Sequence, residues 1–346
     1  MSVKIAFIGF GGVGQSLANL LWKQQEELRE KYGLEPIIVA VSDMMKGSIY
    51  SPEGLDIPIL MDSLQKTGNV EDYEGGEEIY RGWDSFETIK NSNADVIVEV
   101  TFTDVETGQP AIDHCRTAFR HQKSVVTTNK GPVALAYEEL SLLARENNAY
   151  WGFEGTVMSG TPALRMPVYT LAGNEITKIK GILNGTTNFM LTEMEKGHSY
   201  EESLKKAQEL GYAEADPTSD VEGYDARYKA VILANYLMGG NIKPEEVQCE
   251  GITGITEAMI KEALSLKKRW RLLAKIKKDG DHRITAEVKP ECINEEDPLA
   301  GVTGATNGIL YECDLAGPIL LTGAGAGLEE TAYSLLIDLI DFKRNS

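Results

Sequence analysis

The amino-acid sequence predicts an α/β protein in which a doubly wound parallel sheet is followed by a second, α+β domain. The first observation is that apolar, strand-like runs alternate with helical segments from the N-terminus to about residue 152. The second is that this alternation is then lost, and strand and helix patterns mix. Regular alternation favours a parallel sheet covered by helices, and its loss favours an α+β arrangement. We therefore predict one domain over residues 1–152 and another over 153–322.

Five apolar runs form the predicted parallel sheet. Residues 3–8 resemble a buried strand, a helical pattern follows, and PIIVAVSD is the next strand-like run. This β-α-β order makes the two strands parallel neighbours. DVIVEVT, SVVTTN and AYWGFEG continue the sheet, with helices between them. From Met44 to Tyr80 the pattern weakens, which predicts loops and short helical pieces.

The second domain is predicted to mix helices with strand pairs. Residues 201–210 and 223–238 have helical patterns, and GILNGTTNFML (181–191) ends a strand and starts a helix. ITEAMIKEALSLKKRWRLLAKIKK (255–278) is predicted to be one long amphipathic helix whose basic end is a solvated face. HRITAEVKPECI and TNGILYECDLAGPILLTGAG predict pairs of strands.

The composition excludes two classes of partner. The chain has 346 residues and a formal net charge of −19, so nucleic acid and anionic membrane surfaces would repel it. No segment approaches the roughly 20 apolar residues of a membrane-spanning helix. The four cysteines and four histidines are scattered without disulfide or metal-ligand spacing, which favours a reduced, cytoplasmic environment. The N-terminus MSVKIAFIGF predicts a first strand and not a signal peptide.

A glycine motif after the first strand predicts a dinucleotide site. Gly9, Gly11 and Gly14 have the spacing G-x-G-x-x-G between a strand and a helix, with Gly12 and Val13 inside the motif. In a Rossmann-type fold such glycines allow a tight turn, a close approach of the pyrophosphate and packing of the helix on the strand. The helix N-terminus then attracts the phosphates.

Two residues near the end of the second strand concern the kind of dinucleotide. Asp43 ends VAVSD, and an acid at this place usually binds the adenosine ribose of NAD. Lys46 follows three residues later and is a candidate for binding a 2′-phosphate. The sequence predicts NADP or NAD as cofactor and leaves the choice open.

Polar residues also follow the next two strands. Thr101, Phe102 and Thr103 come at the end of DVIVEVT, and Lys130 lies in TTNKGP. Ligands of open α/β sheets bind at the carboxyl ends of the strands, so this edge is predicted to face the nicotinamide ribose. The alternative for Lys130 is an exposed lysine before a helix that starts at Pro132.

An acid-rich stretch leads into an apolar helix at GYAEADPTSDVEGYDARYK (211–229). Asp225 and Lys229 have i, i+4 spacing, so a helix places both at the edge of one apolar face. Partial desolvation there makes a lysine proton easier to transfer, and carboxylates suit a substrate with an ammonium group. Glu214 and Asp216 lie in the preceding loop. The alternatives are a surface ion pair and a solvated polar loop.

The polar turn of GILNGTTNFML separates two apolar runs. It contains Asn184, Thr186, Thr187 and Asn188. One interpretation is an N-cap for the following helix, and the other is a turn that faces a substrate.

Together these motifs resemble those of homoserine dehydrogenases. The matching segments, in the order of that family between residues 9 and 327, are GFGGVG, VEVTFTD, VVTTNKGP, EGTVMSGTP, GILNGTTNFML, LGYAEADPTSDVEGYDARYKA and GAGAG. The resemblance implies a reversible, NAD(P)-linked oxidation of L-homoserine to L-aspartate 4-semialdehyde in threonine and methionine biosynthesis. It also implies that the C-terminal helix, about 323–346, completes the dinucleotide-binding domain, and that 153–322 form a catalytic and dimerisation domain.

The resemblance assigns roles to single residues. Lys229 is similar to the catalytic lysine of the family, and Lys130 to a second lysine near nicotinamide and substrate. The implied substrate-binding residues are Gly211, Glu214, Asp225, Asn184 and Thr186, and Gly325 of GAGAG joins the cofactor-binding residues. The loop that binds a monovalent cation, sodium in this expectation, corresponds to Glu154, Val157, Ser159 and Thr161.

The resemblance also carries expectations about assembly and regulation. A homodimer is expected, and the C-terminal ACT domain of many bacterial members, with its threonine feedback, is expected to be absent. One rival is another reductase of the same pathway that uses a nucleophilic cysteine, although no cysteine lies in an obvious strand-to-helix turn. The other is a non-catalytic NAD(P)-binding sensor, which would need the glycines but not Asp225 and Lys229.

Overall fold

The computed structural model describes residues 2–104, 106–280 and 283–345. The chain divides into two compact units. Unit 1 comprises Met1–Gly160 and Gly327–Ser346, and unit 2 comprises Thr161–Ala326. These boundaries fall a few residues after the predicted positions 152 and 322.

Unit 1 contains a seven-stranded sheet with the strand order β4-β3-β2-β1-β5-β6-β7. The strands are β1 (Ser2–Ile8), β2 (Glu35–Asp43), β3 (Gly47–Tyr50), β4 (Tyr80–Arg81), β5 (Val96–Glu99), β6 (Ser124–Thr127) and β7 (Trp151–Gly152). The five strands β2, β1, β5, β6 and β7 are parallel neighbours, whereas β3 and β4 extend the edge in antiparallel pairs. The doubly wound parallel sheet predicted from the sequence is confirmed.

Helices connect these strands. They are α1 (Gly12–Lys23), α2 (Gln25–Tyr32), α3 (Ile57–Thr67), α4 (Ser85–Asn91), α5 (Ala111–Arg120), α6 (Lys130–Leu135), α7 (Tyr137–Glu146) and α8 (Gly155–Met158). The prediction of loops and short helical pieces from Met44 to Tyr80 was incomplete. This stretch contains β3 and the eleven-residue helix α3, whose N-cap Asp56 accepts a hydrogen bond from the Ile59 amide. Short antiparallel edge strands leave little periodic signal in a sequence.

Unit 2 contains a six-stranded, mainly antiparallel sheet with the order β13-β12-β8-β10-β11-β9. Its elements are α9 (Arg165–Thr170), β8 (Ile176–Ile182), α10 (Gly185–Glu195), α11 (Tyr200–Glu209), α12 (Thr218–Val221), α13 (Tyr224–Met238), β9 (Gln248–Cys249), α14 (Glu257–Ser265), β10 (Lys268–Lys278), β11 (Ile284–Asn294), β12 (Thr306–Cys313) and β13 (Gly317–Ala324). The predicted helices, the strand-to-helix turn after β8 and the strand pairs β10–β11 and β12–β13 produce an α+β arrangement.

The predicted long helix over 255–278 is wrong. Helix α14 ends at Ser265, Lys267 adopts a positive φ of 55°, and the chain continues as β10. Strand β10 pairs with β8 on one side and β11 on the other, so its apolar run is buried within a sheet. The basic end is not uniformly solvated either, because Arg271 is fully buried and forms a 2.6 Å ion pair with Glu195.

The last helix, α15 (Leu328–Asn345), returns the chain to unit 1. It packs on α1, and its apolar side chains belong to the core that α1, β1 and β2 also form. Those buried side chains are Ala332, Leu335, Leu336, Leu339 and Ile340. None of the helices in the described part of the chain combines the length and the apolar composition that crossing a membrane requires.

Candidate functional site

The glycine motif forms a backbone-lined turn between β1 and α1. Gly9 has φ +88°, and a Cβ there would lie 2.6 Å from the Val100 carbonyl oxygen. A Cβ on Gly14 would meet the Gly9 carbonyl oxygen at 3.1 Å, so two chain segments pack without room for side chains. At Gly11, the N-cap of α1, a Cβ would meet nothing within 4 Å. The first amides of α1 therefore border open space, which suits an anion such as a pyrophosphate.

The remaining members of the motif lie at the start of the same helix. Gly12 begins α1, and a Cβ there would approach the Leu328 side chain at 2.9 Å. Val13 is partly buried against the core of unit 1. Both residues thus belong to the glycine turn, and close packing with α15 explains why a glycine stands at position 12.

Asp43, at the end of β2, is hydrogen-bonded to the glycine turn. Its Oδ2 accepts a hydrogen bond from the Phe10 amide at 2.7 Å. Its Oδ1 accepts from the amides of Met45 and Lys46 at 2.9 and 3.1 Å, and the Lys46 Nζ lies 3.8 Å from the same oxygen. Asp43 and Lys46, the candidates for binding the adenosine ribose and a 2′-phosphate, therefore lie next to each other at the end of β2.

The strand ends after β5 and β6 lie next to each other in the sheet. Asn129 is the N-cap of α6, and its side-chain amide donates to the carbonyl oxygens of Thr101 and Phe102 at 3.4 and 3.3 Å. Lys130 is the first residue of α6, and Thr103 is partly buried in the segment that follows β5. Phe102 is 87% exposed. The Asn129 side chain therefore connects Thr101 and Phe102 to the residue that precedes Lys130.

In unit 2, Asp225 and Lys229 form an ion pair on α13. The Lys229 Nζ lies 2.7 Å from the Asp225 Oδ2, and the side chains are only 10% and 13% exposed, respectively. The Lys229 ammonium also donates to the Leu183 carbonyl oxygen at 2.8 Å, just after β8. A lysine held by two oxygens in a mostly buried position is not the surface pair of the alternative interpretation.

Asn184 links this pair to the turn before α10. It is the N-cap of α10, since its Oδ1 accepts from the Thr187 amide at 2.9 Å. Its Nδ2 donates to Asp225 Oδ2 at 3.1 Å and to Asp220 Oδ1 at 2.6 Å. The N-cap interpretation of this turn is therefore confirmed, and the same amide also holds the two acids, whereas the substrate-facing interpretation remains a prediction. Thr186 lies in the same turn and donates to the Tyr212 carbonyl oxygen at 2.6 Å.

Asp220 is a member of this cluster that the sequence analysis did not select. Burial, followed by the nearby Asp225 carboxylate, raises the pKa of Asp220 above its usual range. It lies on α12 within an acid-rich stretch, and its spacing alone does not distinguish it from solvated neighbours. Its place in the cluster is shown only by the contact with Asn184, which is distant in the sequence.

Two other acids of the stretch, Glu214 and Asp216, are exposed. Glu214 lies in the loop after α11, and its carbonyl oxygen accepts a hydrogen bond from Gln208 at 3.1 Å. Gly211 has φ +75° in the turn that ends α11. Asp216 accepts hydrogen bonds from the amide and from the hydroxyl group of Thr218. The polar-loop interpretation thus describes Asp216, whereas the roles of Gly211 and Glu214 remain predictions.

The predicted cation-binding residues are distributed over both units, and each is described within its own. In unit 1, Glu154 is buried and its amide donates to Asp338 Oδ2 at 3.1 Å, while Val157 lies on α8. Ser159 has φ +51°, and its hydroxyl lies 2.8 Å from that of Thr331.

In unit 2, the hydroxyl of Thr161 donates to the Ala324 carbonyl oxygen at 3.1 Å. A Cβ on Gly325 would come within 2.2 Å of the buried Asn307 side chain. The GAGAG segment is therefore packed closely at its second glycine.

The fold and these sites define a two-unit oxidoreductase of the Rossmann class that uses a nicotinamide dinucleotide. The family profile of the homoserine dehydrogenase NAD-binding domain matches residues 9–154, and the profile of homoserine dehydrogenase itself matches residues 162–340. The chain therefore belongs to the homoserine dehydrogenase family.

Individual relatives agree with this assignment. An NAD(+)-dependent homoserine dehydrogenase of Pseudomonas canavaninivorans is 41% identical over 345 residues, which cover 99% of this chain and 97% of the relative. A homoserine dehydrogenase of Methanocaldococcus jannaschii is 41% identical, with 97% of each chain covered. The solved structure of a hyperthermophilic archaeal homoserine dehydrogenase in complex with NADPH is 30% identical. It has a TM-score of 0.84 and covers all of this chain and 99% of its own.

Proposed function

We propose that this chain catalyses the reversible oxidation of L-homoserine to L-aspartate 4-semialdehyde, with NAD or NADP as the hydride carrier. The observation that carries the proposal is the mostly buried Asp225–Lys229 ion pair, joined by Asn184 to a second, partly buried acid, Asp220, in a chain of this family. Homoserine has an ammonium group, a carboxylate and a primary hydroxyl. A cluster with one transferable proton and two carboxylates matches the first and the last of these groups.

Lys229 is the proposed acid–base group of the reaction. In oxidation, Lys229 acts in its neutral amine form: the Nζ accepts the hydroxyl proton of the substrate and becomes an ammonium, while the carbon that carries the hydroxyl loses a hydride. When bound, the nicotinamide supplies the acceptor for that hydride. In the reverse direction Lys229 returns the proton to the carbonyl oxygen. Asp225 and the Leu183 carbonyl oxygen hold the ammonium in place, which fixes the direction of its proton.

The acids of unit 2 are proposed to bind the substrate ammonium group. Asp220 and Asp225 share the Asn184 amide, and Glu214 with the Gly211 backbone would complete the pocket from the preceding loop. Thr186 and the first turn of α10 supply polar groups for the substrate carboxylate. Lys130, at the start of α6 in unit 1, is proposed as a second lysine that contacts the cofactor or the substrate.

The glycine turn fits the dinucleotide because its N-cap borders open space and its glycines leave the backbone exposed there. We infer that Gly9, Gly11, Gly12, Val13 and Gly14 would hold the pyrophosphate. Asp43 would accept hydroxyl hydrogens of the adenosine ribose, and Lys46 would bind a 2′-phosphate. Because acid and base are adjacent, we propose that both NAD and NADP are used. Lys46→Ala should raise the KM for NADP alone, whereas Asp43→Asn should raise the KM for NAD more.

The decisive experiment is the reduction of NAD+ and NADP+ by the purified protein with L-homoserine, for wild type and Lys229→Ala. Loss of general acid–base catalysis typically costs about 10²–10⁴-fold in rate. Lys261→Ala is the control, since Lys261 and Glu257 form an i, i+4 pair at 4.0 Å with the lysine 73% exposed. Near-normal turnover of Lys229→Ala at saturating homoserine would end the assignment of this residue.

The rival cysteine-dependent reductase is disfavoured by the state of the thiols. Burial raises the pKa of all four cysteines, Cys115, Cys249, Cys292 and Cys313, above the usual range. A nucleophilic cysteine needs a lowered thiol pKa instead. A non-catalytic sensor would bind cofactor without turnover of any amino alcohol, so the same assay separates it from an enzyme.

Three further expectations remain part of the proposal. A sodium ion would bind through backbone oxygens of Glu154, Val157, Ser159 and Thr161, and replacing sodium by tetramethylammonium should then lower activity. A homodimer should appear at twice the 38.0 kDa chain mass in light scattering. A cytoplasmic location fits the scattered free cysteines, and cell fractionation tests it.

A further inference from the structure

A buried network lies beneath the two strand ends of unit 1. Glu99, the last residue of β5, is fully buried, and its carboxylate accepts hydrogen bonds from the Thr101 hydroxyl and, at 3.4 Å, from the Thr101 amide. The Thr127 hydroxyl donates to the Glu99 carbonyl oxygen at 2.7 Å and lies 3.3 Å from its Oε2. The Glu99 side chain is thus contacted by the segment that follows β5 and by a hydroxyl at the end of β6.

The network closes on itself through Asn129. The Thr127 hydroxyl accepts the Asn129 amide at 2.9 Å, and the Asn129 side chain donates back to the carbonyl oxygens of Thr101 and Phe102. The ring therefore runs from Glu99 to Thr101, to Asn129, to Thr127 and back. It joins the segment after β5 to the residue before Lys130, and the Glu99 carboxylate contacts it through Thr101 and Thr127.

His114 connects this carboxylate to a second layer. It is 2% exposed on α5, and its Nδ1 lies 3.3 Å from Glu99 Oε1. Its Nε2 lies 2.8 Å from the Ser85 hydroxyl on α4. The two ring nitrogens of His114 therefore connect the Glu99 carboxylate to the Ser85 hydroxyl and fix the orientation of both side chains.

The thiol of Cys115 follows His114 on α5 and is affected by the Glu99 carboxylate. Cys115 is fully buried, and burial first and the Glu99 carboxylate second raise its pKa well above the usual range. The unit thus keeps a carboxylate in a dry environment, where its field is weakly screened.

We propose that Glu99, oriented by His114, is a positioning residue for the strand-end segments and that its charge favours the oxidised, positively charged nicotinamide over the reduced form. The inference rests on the proposed function only in placing the nicotinamide at these strand ends. The nicotinamide ring is positively charged when oxidised and neutral when reduced. A fixed carboxylate nearby therefore stabilises the oxidised form more than the reduced form. A scaffold without charge would hold both forms equally.

The test is the pair of cofactor dissociation constants in full-length wild type and Glu99→Gln, measured without homoserine. The affinity for the reduced form is followed by its fluorescence, and that for the oxidised form by calorimetry. The ratio of the oxidised to the reduced Kd should rise about tenfold in Glu99→Gln, which corresponds to ~1.4 kcal/mol. In His114→Gln, which keeps the carboxylate, the ratio should change less than in Glu99→Gln.

The control is Glu71→Gln, in which a carboxylate that accepts the Ser48 amide at 3.0 Å is neutralised at β3, three strands away from β5. Its ratio should equal that of wild type. If Glu99→Gln fails to fold, the double variant Glu99→Gln/His114→Gln offers an amide pair in the same place. A folded variant with an unchanged ratio, including equal losses for both forms, overturns the proposal. Homoserine turnover of wild type is assayed separately, so a failure of the proposed function is recognised independently.

Discussion

The glycine turn of unit 1 and the acid–lysine cluster of unit 2 differ in the part of the chain that makes the site. The turn consists of backbone: Gly9 and Gly14 remove side chains, and Gly11 leaves the amides of α1 open. The cluster consists of side chains, with Lys229, Asp225 and Asn184 from two helices and their contacts at 2.7–3.1 Å. A backbone site is fixed by local conformation, whereas a side-chain site depends on which helices pack together.

The comparison predicts that the side-chain site is the more fragile in catalysis. Asp225→Asn should lower kcat/KM by about 10²–10³-fold, because Lys229 loses its 2.7 Å partner and the substrate loses an acid. The check is steady-state kinetics with L-homoserine, with Glu257→Gln as the control in the exposed pair of the same spacing. If both variants lose the same small factor, the Asp225 pair has no special role.

In the glycine turn, one substitution should weaken cofactor binding and another should lower the stability of the fold. Gly11→Ala adds a methyl group where nothing lies within 4 Å, so the free energy of unfolding should hardly change, while cofactor Kd rises roughly tenfold because the phosphate approach is blocked. Gly9→Ala meets the Val100 carbonyl oxygen at a positive φ and should destabilise the fold by about 1–3 kcal/mol.

Thermal unfolding and cofactor titration of both glycine variants check this prediction. Equal destabilisation by the two substitutions would show that the turn does not distinguish the two positions. A Gly11→Ala variant with wild-type affinity would place the pyrophosphate elsewhere.

The partly buried Asp220 of unit 2 should make the stability of the protein depend on pH. The pKa of Asp220 is raised in the folded protein, so the folded state binds more protons than the unfolded state above the ordinary pKa of about 3.9. Wild-type stability therefore falls as pH rises through the raised pKa. Asp220→Asn should be more stable than wild type at pH 7, and this gain should vanish below about pH 4.

Denaturant unfolding at the two pH values measures the effect of Asp220→Asn. Asp216→Asn is a control of opposite sign, because hydrogen bonds from Thr218 lower the pKa of Asp216. Its stability should fall slightly at neutral pH. A loss of stability for Asp220→Asn at pH 7 would contradict the predicted gain in the free energy of unfolding.

The smallest effect is expected at Lys123 in unit 1, which donates to the Ser92 carbonyl oxygen at 2.6 Å. Burial lowers the pKa of Lys123 to about 8, so the unfolded state binds more protons between pH 8 and the usual value near 10.4. Wild-type stability should therefore rise over this range relative to Lys123→Met, as urea unfolding at pH 7 and 9.5 can show. Parallel pH curves would contradict it, and activity should be unaffected.

The predictable part of the molecule is the part with local periodicity or local spacing. The glycine turn, the parallel strands and the start of α10 were predicted because each depends on neighbouring residues. Strand β10 was mistaken for helix, since a central strand buried on both faces has an apolar run that also fits a helix. Only its pairing with two other strands decides the conformation.

The side-chain sites also depend on contacts between distant segments, which the sequence does not reveal. Asp225 and Lys229 could be paired from the i, i+4 spacing, but Asp220 acquires its role through Asn184, 36 residues earlier in the chain. Glu99 and His114 lie 15 residues apart on a strand and a helix, with no motif that joins them. Such contacts are products of packing, and spacing alone does not reveal them.

The return of α15 to unit 1 has a consequence for the order in which the protein can mature. Unit 2 is one continuous segment, 161–326, and all of it has been synthesised before α15 emerges from the ribosome. Unit 1 begins first but lacks the apolar face of Leu335, Leu336 and Leu339 until α15 has been synthesised. The half of the chain that is made earliest therefore completes its core last, and the dinucleotide turn packed against Leu328 waits for the same event.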